Sequence, residues 1–103
     1  MAAWQQVTLS ADGVRAWRVT LTPNDPQSDP RIVSGRPCTV QVEGGAAAVW
    51  GQLAPGNAWA VLEDLRGVPL TTLTDAIEGI GPFVDAIKVT GLGTVTLLER
   101  RTT

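Results

Sequence analysis

The chain has 103 residues and a net charge of −2, with 44% hydrophobic and 17% charged residues. This composition is typical of a globular domain, and no apolar run approaches the roughly 20 residues of a membrane-spanning helix. The start of the chain lacks the basic and apolar regions of a secretory signal, and eight basic against ten acidic residues do not suit a nucleic-acid-binding surface. We therefore expect a single domain, residues 1–103, with neither a nucleic-acid nor a membrane partner.

The residue types that are missing exclude common catalytic chemistry. The sequence has no histidine and no tyrosine, so a Ser-His-Asp triad cannot form. Cys38 is the single cysteine, which excludes an intramolecular disulfide and a cysteine cluster for zinc, and we expect it to be a small buried strand residue. The carboxylates form no paired arrangement. These observations predict a protein that is not an enzyme and that needs no cofactor or metal.

The first part of the chain predicts a hairpin and then a loop. Two runs of strand-forming residues, 4–10 and 14–22, flank the turn sequence Ala11-Asp12-Gly13. The next segment, 23–30, contains three prolines among turn-forming residues and predicts an exposed loop. Alternation along the second run places three apolar side chains on one face: Trp17, Val19 and Leu21.

Further strands are predicted in the middle of the chain. A short run at 31–34 precedes 38–43, in which Val40 and Val42 point one way. Gly44-Gly45 then allows a sharp turn or a close approach of two backbones. The runs 46–53 and 59–65 are joined at Pro55-Gly56-Asn57 and predict a second hairpin.

The last third predicts one ambiguous segment between strands. Residues 70–74 form a short strand-forming run, and residues 75–78 are compatible with one helical turn with Asp75 as its N-cap. The runs 83–90 and 94–101, separated by Gly91-Leu92-Gly93, predict a closing hairpin. Four side chains of this hairpin are expected to face inward: Ile87, Val89, Val95 and Leu97.

Together these runs predict about eight short strands without crossover helices, which indicates an all-β fold. We expect a small antiparallel β-sandwich or a jelly-roll-like barrel. Trp17 and Trp50 lie in the middle of strands and are expected in the core, whereas Trp4 and Trp59 are candidates for a contact surface. Short arms are expected at both ends of the chain, at 4–6 and 99–103.

The segment from Val40 to Arg101 resembles a family of small phage virion proteins that decorate or cement the capsid. The resemblance lies in four stretches, Val40-Gln41-Val42-Glu43-Gly44-Gly45-Ala46, Trp59-Ala60-Val61-Leu62-Glu63-Asp64-Leu65-Arg66-Gly67-Val68-Pro69-Leu70-Thr71, Ile87-Lys88-Val89-Thr90-Gly91 and Thr94-Val95-Thr96-Leu97, followed by Arg100-Arg101. It implies a β-sandwich that binds the outer surface of an assembled head and stabilises it.

On this resemblance the partner would be the major capsid protein of the same virus, and the chain would form a homotrimer. It would be made in the host cytoplasm and would reside on the capsid exterior of the virion. Two alternatives are another virion component, such as a head fibre base or a tail protein, and a carbohydrate-binding β-sandwich module. The residues expected to make the contacts are Trp4, Gln5, Gln6, Arg31, Ile32, Trp59, Arg100 and Arg101.

Overall fold

A computed structural model describes residues 1–9 and 13–100, and within these residues all regular structure is β-strand. No helix in this part of the chain is long and apolar enough to cross a membrane. The all-β prediction is confirmed, with ten strands rather than about eight because several strands have only two or three residues. The strands are β1 (Gln5–Val7), β2 (Val14–Leu21), β3 (Arg31–Ile32), β4 (Cys38–Glu43), β5 (Ala46–Gln52), β6 (Ala60–Val61), β7 (Leu73–Thr74), β8 (Ile77–Gly79), β9 (Ala86–Gly91) and β10 (Gly93–Arg100).

The strands form two antiparallel sheets that pack face to face. The first sheet has the order β1-β2-β10-β4-β8, and the second has the order β3-β9-β5-β6 with β7 also paired to β5. Alternate side chains of both sheets fill the space between them, because the side-chain period of a strand is two residues. The expected inward positions of β2, β4, β9 and β10 are confirmed, since the buried cluster contains Val19, Leu21, Val40, Val42, Ile87, Val89, Val95 and Leu97.

Two of the three expected hairpins are present. β1 pairs with β2, although most of the predicted turn between them lies outside the described residues, and β5 pairs with β6. The expected closing hairpin is wrong, because β9 belongs to the second sheet and β10 to the first. The turn Gly91-Leu92-Gly93 carries the chain from one sheet to the other, as Gly44-Gly45 does between β4 and β5.

The N-terminal segment lies against the sandwich instead of forming an arm. Ala2 is buried, and its backbone N–H donates to the carbonyl of Gln27 at 2.8 Å. The segment 23–30 was expected to be an exposed loop, but it is partly buried. Ser28 is fully buried and its hydroxyl accepts a hydrogen bond from the Val89 backbone N–H at 3.0 Å.

Residues 77–79 form the edge strand β8, so the helical turn considered for residues 75–78 is absent. Asp75 adopts a φ of 44°, and its carboxylate accepts a hydrogen bond from the Gly44 backbone N–H at 2.8 Å. The aspartate therefore caps the β4–β5 turn and not a helix. Tertiary contact with that turn takes precedence over the local capping signal.

A tight turn at residues 64–68 is organised by one carboxylate. Asp64 is buried, and its Oδ1 accepts hydrogen bonds from the backbone N–H groups of Arg66 at 2.8 Å and Val68 at 3.0 Å. Its Oδ2 accepts a bond from the Arg66 guanidinium at 3.0 Å. The hydrogen bond from Val68, joined by the bonds and charge of Arg66, holds the pKa of Asp64 below its usual value of 3.8.

Asp64→Asn should lower the thermal midpoint at neutral pH, and the difference from wild type should shrink as the pH falls. A folded-state pKa below the unfolded one contributes stability above the unfolded value of 3.8, which is lost as the pH falls below it. Asparagine retains an oxygen that accepts the backbone hydrogen bonds but has no charge. It therefore removes the contribution to stability that depends on an ionised carboxylate. Midpoints measured across pH 7 to 3 test this, with the exposed neighbour in Glu63→Gln as control. A constant difference at every pH would contradict it.

Candidate functional site

A buried carboxylate lies between the sheets at the end of the sandwich where β2 begins and β10 ends. Val95, Leu97 and Glu99 alternate along β10 toward the interior, and all three are 0% exposed. Glu99 is paired with Arg15 of β2 on one side and with Cys38 of β4 on the other. Paired residues of adjacent strands share a face, so these side chains all point between the sheets.

Three guanidinium groups surround this carboxylate. Glu99 Oε1 lies 3.4 Å from Arg15 Nε, 3.5 Å from an Arg31 Nη and 3.8 Å from an Arg36 Nη. These are ion-pair distances, longer than a good hydrogen bond. Arg31 reaches the site from β3 of the second sheet, where it is paired with the buried Ile87. The side chains of the three arginines are 22–33% exposed, so the cluster opens to solvent on its arginine side.

The aromatic ring of Trp17 orders one of these guanidinium groups. Arg31 Cζ lies 3.5 Å from the centroid of the Trp17 ring, a stacked cation–π contact. Trp17 was expected in the core, but it is half-buried and belongs to this cluster. Trp50, the other expected core tryptophan, lies on the outer face of β5 and donates its Nε1–H to the Thr90 hydroxyl at 2.9 Å.

Several polar atoms in the cluster have no hydrogen-bond partner among the described residues. The donors are the Nε atoms of the three arginines and Nε1 of Trp17, and the acceptors are both oxygens of Glu99. Buried polar groups in native proteins are nearly always paired, and an unpaired one is costly. Within the described part of the chain, this cluster contains every buried side-chain polar atom without a partner, which distinguishes it from the rest of the fold.

Cys38 completes the inward face beside Glu99, and its expected burial is confirmed. Its Sγ lies 3.3 Å from the Arg36 carbonyl, to which the thiol donates. Burial, reinforced by the Glu99 charge and opposed by Arg36, raises the pKa of Cys38 to about 12. The thiol is therefore protonated at neutral pH and is not a nucleophile.

The donor set of this cluster does not fit a divalent cation. The chain has no histidine, and Cys38 retains its proton. Among residues 1–9 and 13–100, no three side chains of the histidine, cysteine, aspartate and glutamate types converge on one point. Three positive guanidinium groups around the Glu99 carboxylate repel a cation and attract an anion.

The residues expected to form a contact surface are spread over the molecule. Trp4 is half-buried and donates its Nε1–H to the Asp29 carbonyl at 2.7 Å, and Gln5 and Gln6 are exposed on β1. Trp59 lies just before β6, with Lys88 Nζ 4.8 Å from its ring centroid.

The other contact candidates lie in the strands β3 and β10. Ile32 is exposed on β3 next to Arg31, which belongs to the cluster. Arg100 is the exposed last residue of β10 and borders a cavity of about 290 Å³ with Phe83 and Leu98. Arg101 lies outside the described residues.

Sequence reasoning missed Arg15, Arg36 and Glu99, although a signal for two of them was present. The inward alternation of Val95 and Leu97 continues two residues further to Glu99, and that of Trp17 extends two residues back to Arg15. Glu99 was instead expected in the C-terminal arm at 99–103 because of its position near the end of the chain. Arg36 lies between β3 and β4, where no strand alternation predicts which way its side chain points.

No protein-family model matches the chain, and no curated protein does so either. Solved structures match in fold. Protein NMB1881 from Neisseria meningitidis has 13% identity and a TM-score of 0.55, covering 95% of this chain and 85% of that chain. A cupin-2 domain protein from Shewanella frigidimarina has 10% identity and a TM-score of 0.53, covering 96% and 82%. A protein from Ralstonia eutropha assigned as a mannose-6-phosphate isomerase has 12% identity and a TM-score of 0.50, covering 99% and 86%.

These likenesses show a cupin-like, jelly-roll type of barrel, and they correct the functional expectation. The interpretation as a capsid decoration protein is wrong, because the chain shares its fold with a cupin-2 domain protein and with a protein assigned as a sugar-phosphate isomerase. The two alternatives, another virion component and a carbohydrate-binding module, have no support among them either. The expectation of a protein that is not an enzyme is corrected too, since the Ralstonia protein is assigned as an isomerase.

Proposed function

We propose that this chain binds a small organic dianion at the cluster of Arg15, Arg31 and Arg36 around Glu99. The observation that carries the proposal is the charge of the cluster. Three guanidinium groups against one carboxylate leave a formal charge of +2 between the sheets. A dianion neutralises this charge, whereas a monoanion leaves half of it uncompensated.

The geometry of the arginines favours a carboxylate or phosphate ligand. A guanidinium is a planar fork of N–H donors that matches the two oxygens of such groups. Each arginine has five N–H donors, and its nearest contact with Glu99 uses one nitrogen; Arg36 Nη1 also donates to the Val33 carbonyl at 3.4 Å, so further donors remain for a second acceptor. The stack of Arg31 on Trp17 holds that guanidinium in place, so less side-chain freedom is lost when an anion binds.

The fold likeness is compatible with this function. The Ralstonia protein that shares the fold is assigned to a substrate, mannose 6-phosphate, that carries an anionic group. At 12% identity it supports a small-molecule site in this type of barrel but does not identify the ligand. The ligand class proposed here therefore depends on the arginines of this chain alone.

Titration calorimetry with succinate, at low ionic strength, tests the proposal. We expect succinate to bind, its neutral diamide to give no signal, and added salt to weaken the binding because it screens the charges. Arg31→Leu should weaken succinate binding by about tenfold or more, the value of one charge-assisted hydrogen bond. The matched control is Arg18→Leu, since Arg18 is exposed and on the opposite face of β2.

Two results would overturn the proposal. The first is absence of binding by succinate and by inorganic phosphate to the folded wild-type chain. The second is equal loss of binding in the Arg31→Leu and Arg18→Leu variants, which would indicate an anion attracted by overall charge and not held by the cluster.

A further inference from the structure

We infer that a cavity on the outer face of the first sheet binds a small monocarboxylic acid with an apolar tail. This is a second site, separate from the arginine cluster, and it does not depend on the proposed function. The cavity has a volume of about 290 Å³. Its lining includes Pro37, Thr39, Leu65, Phe83, Leu98 and Arg100.

Three neighbouring strands contribute to one side of the cavity. Leu98 of β10 is paired with Thr39 of β4, and Thr39 is paired with Gly79 of β8. Leu98 alternates with Leu97 and Glu99, which are buried between the sheets, so its side chain points to the outer face. The first sheet therefore separates this cavity from Glu99 and the arginines around it.

Two of the lining side chains are apolar and largely exposed. Leu65 is 77% exposed and Phe83 is 63% exposed. Gly79 has no side chain, and a Cβ atom there would lie 2.8 Å from Leu65 Cδ1, so the Leu65 side chain lies directly over β8. An apolar tail in the cavity covers Leu65 and Phe83, and removing this apolar surface from water is favourable.

The charge of the lining indicates the polar group of the ligand. Arg100 is the one charged residue among the described residues that line the cavity, and it is exposed on the same face of β10 as Leu98. One guanidinium matches one carboxylate, both in charge and in its pair of oxygens. A phosphate monoester carries a charge of about −1.5 to −2 at neutral pH and would be only partly compensated. The lining therefore favours a single carboxylate.

The volume of the cavity limits the length of the tail. About 290 Å³ is the volume of roughly ten water molecules in the liquid, so an acid of about ten non-hydrogen atoms fits. Octanoate is an acid of this size and has one carboxylate and an apolar tail. It is therefore the probe for this site.

Heteronuclear NMR of the full wild-type chain, titrated with octanoate below its micelle concentration, tests the inference. We expect the backbone amide signals of Thr39, Gly79 and Leu98 to shift. Hexanoate should bind about tenfold more weakly, because each buried methylene is worth up to about fourfold in affinity. Octanamide, which has the same tail and no charge, should bind about fivefold more weakly, the upper value for an exposed ion pair.

Variants at exposed positions test the two parts of the site. Arg100→Gln should weaken octanoate binding about fivefold and abolish the preference for octanoate over octanamide. Its control is Arg18→Gln, because Arg18 is also exposed on the outer face of the first sheet but does not line the cavity. Phe83→Ala should weaken binding about threefold or more, whereas Leu53→Ala, which removes an exposed side chain outside the cavity, should not.

Three results would overturn the inference. The first is absence of amide shifts at Thr39, Gly79 and Leu98 when octanoate is added. The second is a set of shifts confined to Arg15 and Arg31, which would show that the acid binds at the arginine cluster instead. The third is equal binding of octanoate and octanamide, which would exclude recognition of the acid group by Arg100. The comparison of ligands on the wild-type chain decides even if a variant does not fold.

Discussion

Glu99→Gln should lower the free energy of unfolding by about 3 kcal/mol, the loss expected when one partner of a buried ion pair is removed. The substitution preserves the shape of the side chain but removes its charge. Arg15, Arg31 and Arg36 then repel one another within a half-buried site without a counter-charge. The midpoint of urea denaturation should fall while the slope stays the same.

The matched control for this prediction is Glu43→Gln. Glu43 ends β4 and is exposed, so the same chemical change should alter stability by at most about 0.5 kcal/mol. If Glu99→Gln were as stable as wild type, the arginines would not depend on the carboxylate. Glu99 would then not hold the arginines in the arrangement that the proposed anion site requires.

Much of the fold could be predicted from the sequence because strand alternation is a local property. The period of two placed Val40, Val42, Val89 and Leu97 inward, and all four are buried. Alternation indicates which face a side chain occupies, but it does not indicate which strands pair. The closing hairpin was predicted wrongly for this reason, since β10 pairs with β2 and β4 and not with β9.

The candidate site was harder to predict because its members come from separate parts of the chain. Arg15, Arg31 and Glu99 meet only after β2, β3 and β10 have found their places in two sheets. A charged residue at the end of an apolar strand is more often exposed, and the position of Glu99 near the terminus likewise favoured an arm. Arg31 was singled out as a contact residue, and the structure places it in the cluster between the sheets.

The function inferred from the resemblance to phage decoration proteins is wrong, and the motifs that carried the resemblance describe turns and alternation. Sequences such as Asp64-Leu65-Arg66-Gly67 and Gly91-Leu92-Gly93 suit tight turns in any small antiparallel barrel. Unrelated proteins share these features since the same backbone geometry demands the same residues. A fold of this kind therefore gives no function by itself, and the function must be argued from the residues of the site.

Gly45→Ala should destabilise the fold by about 3 kcal/mol, the upper end of the usual cost of overpacking. Gly45 lies between β4 and β5, directly before β5, and a Cβ atom there would overlap the carbonyl oxygen and carbon of Leu92. Leu92 lies in the turn from β9 to β10, which also connects the two sheets. The atoms that the Cβ would meet are backbone atoms, so they cannot rotate away. The close approach of two backbones suggested by Gly44-Gly45 in the sequence is thus a structural requirement at Gly45.

The control for this substitution is Gly56→Ala, which separates crowding from backbone strain. Gly56 has a φ of 88° and no atom within 4 Å of an added Cβ, so alanine there should cost only the roughly 1 kcal/mol of a left-handed conformation. Chemical denaturation of both variants gives the two values directly. Equal losses in the free energy of unfolding at the two positions would contradict the prediction. They would show that the turns containing Gly45 and Leu92 shift to accommodate the added Cβ atom.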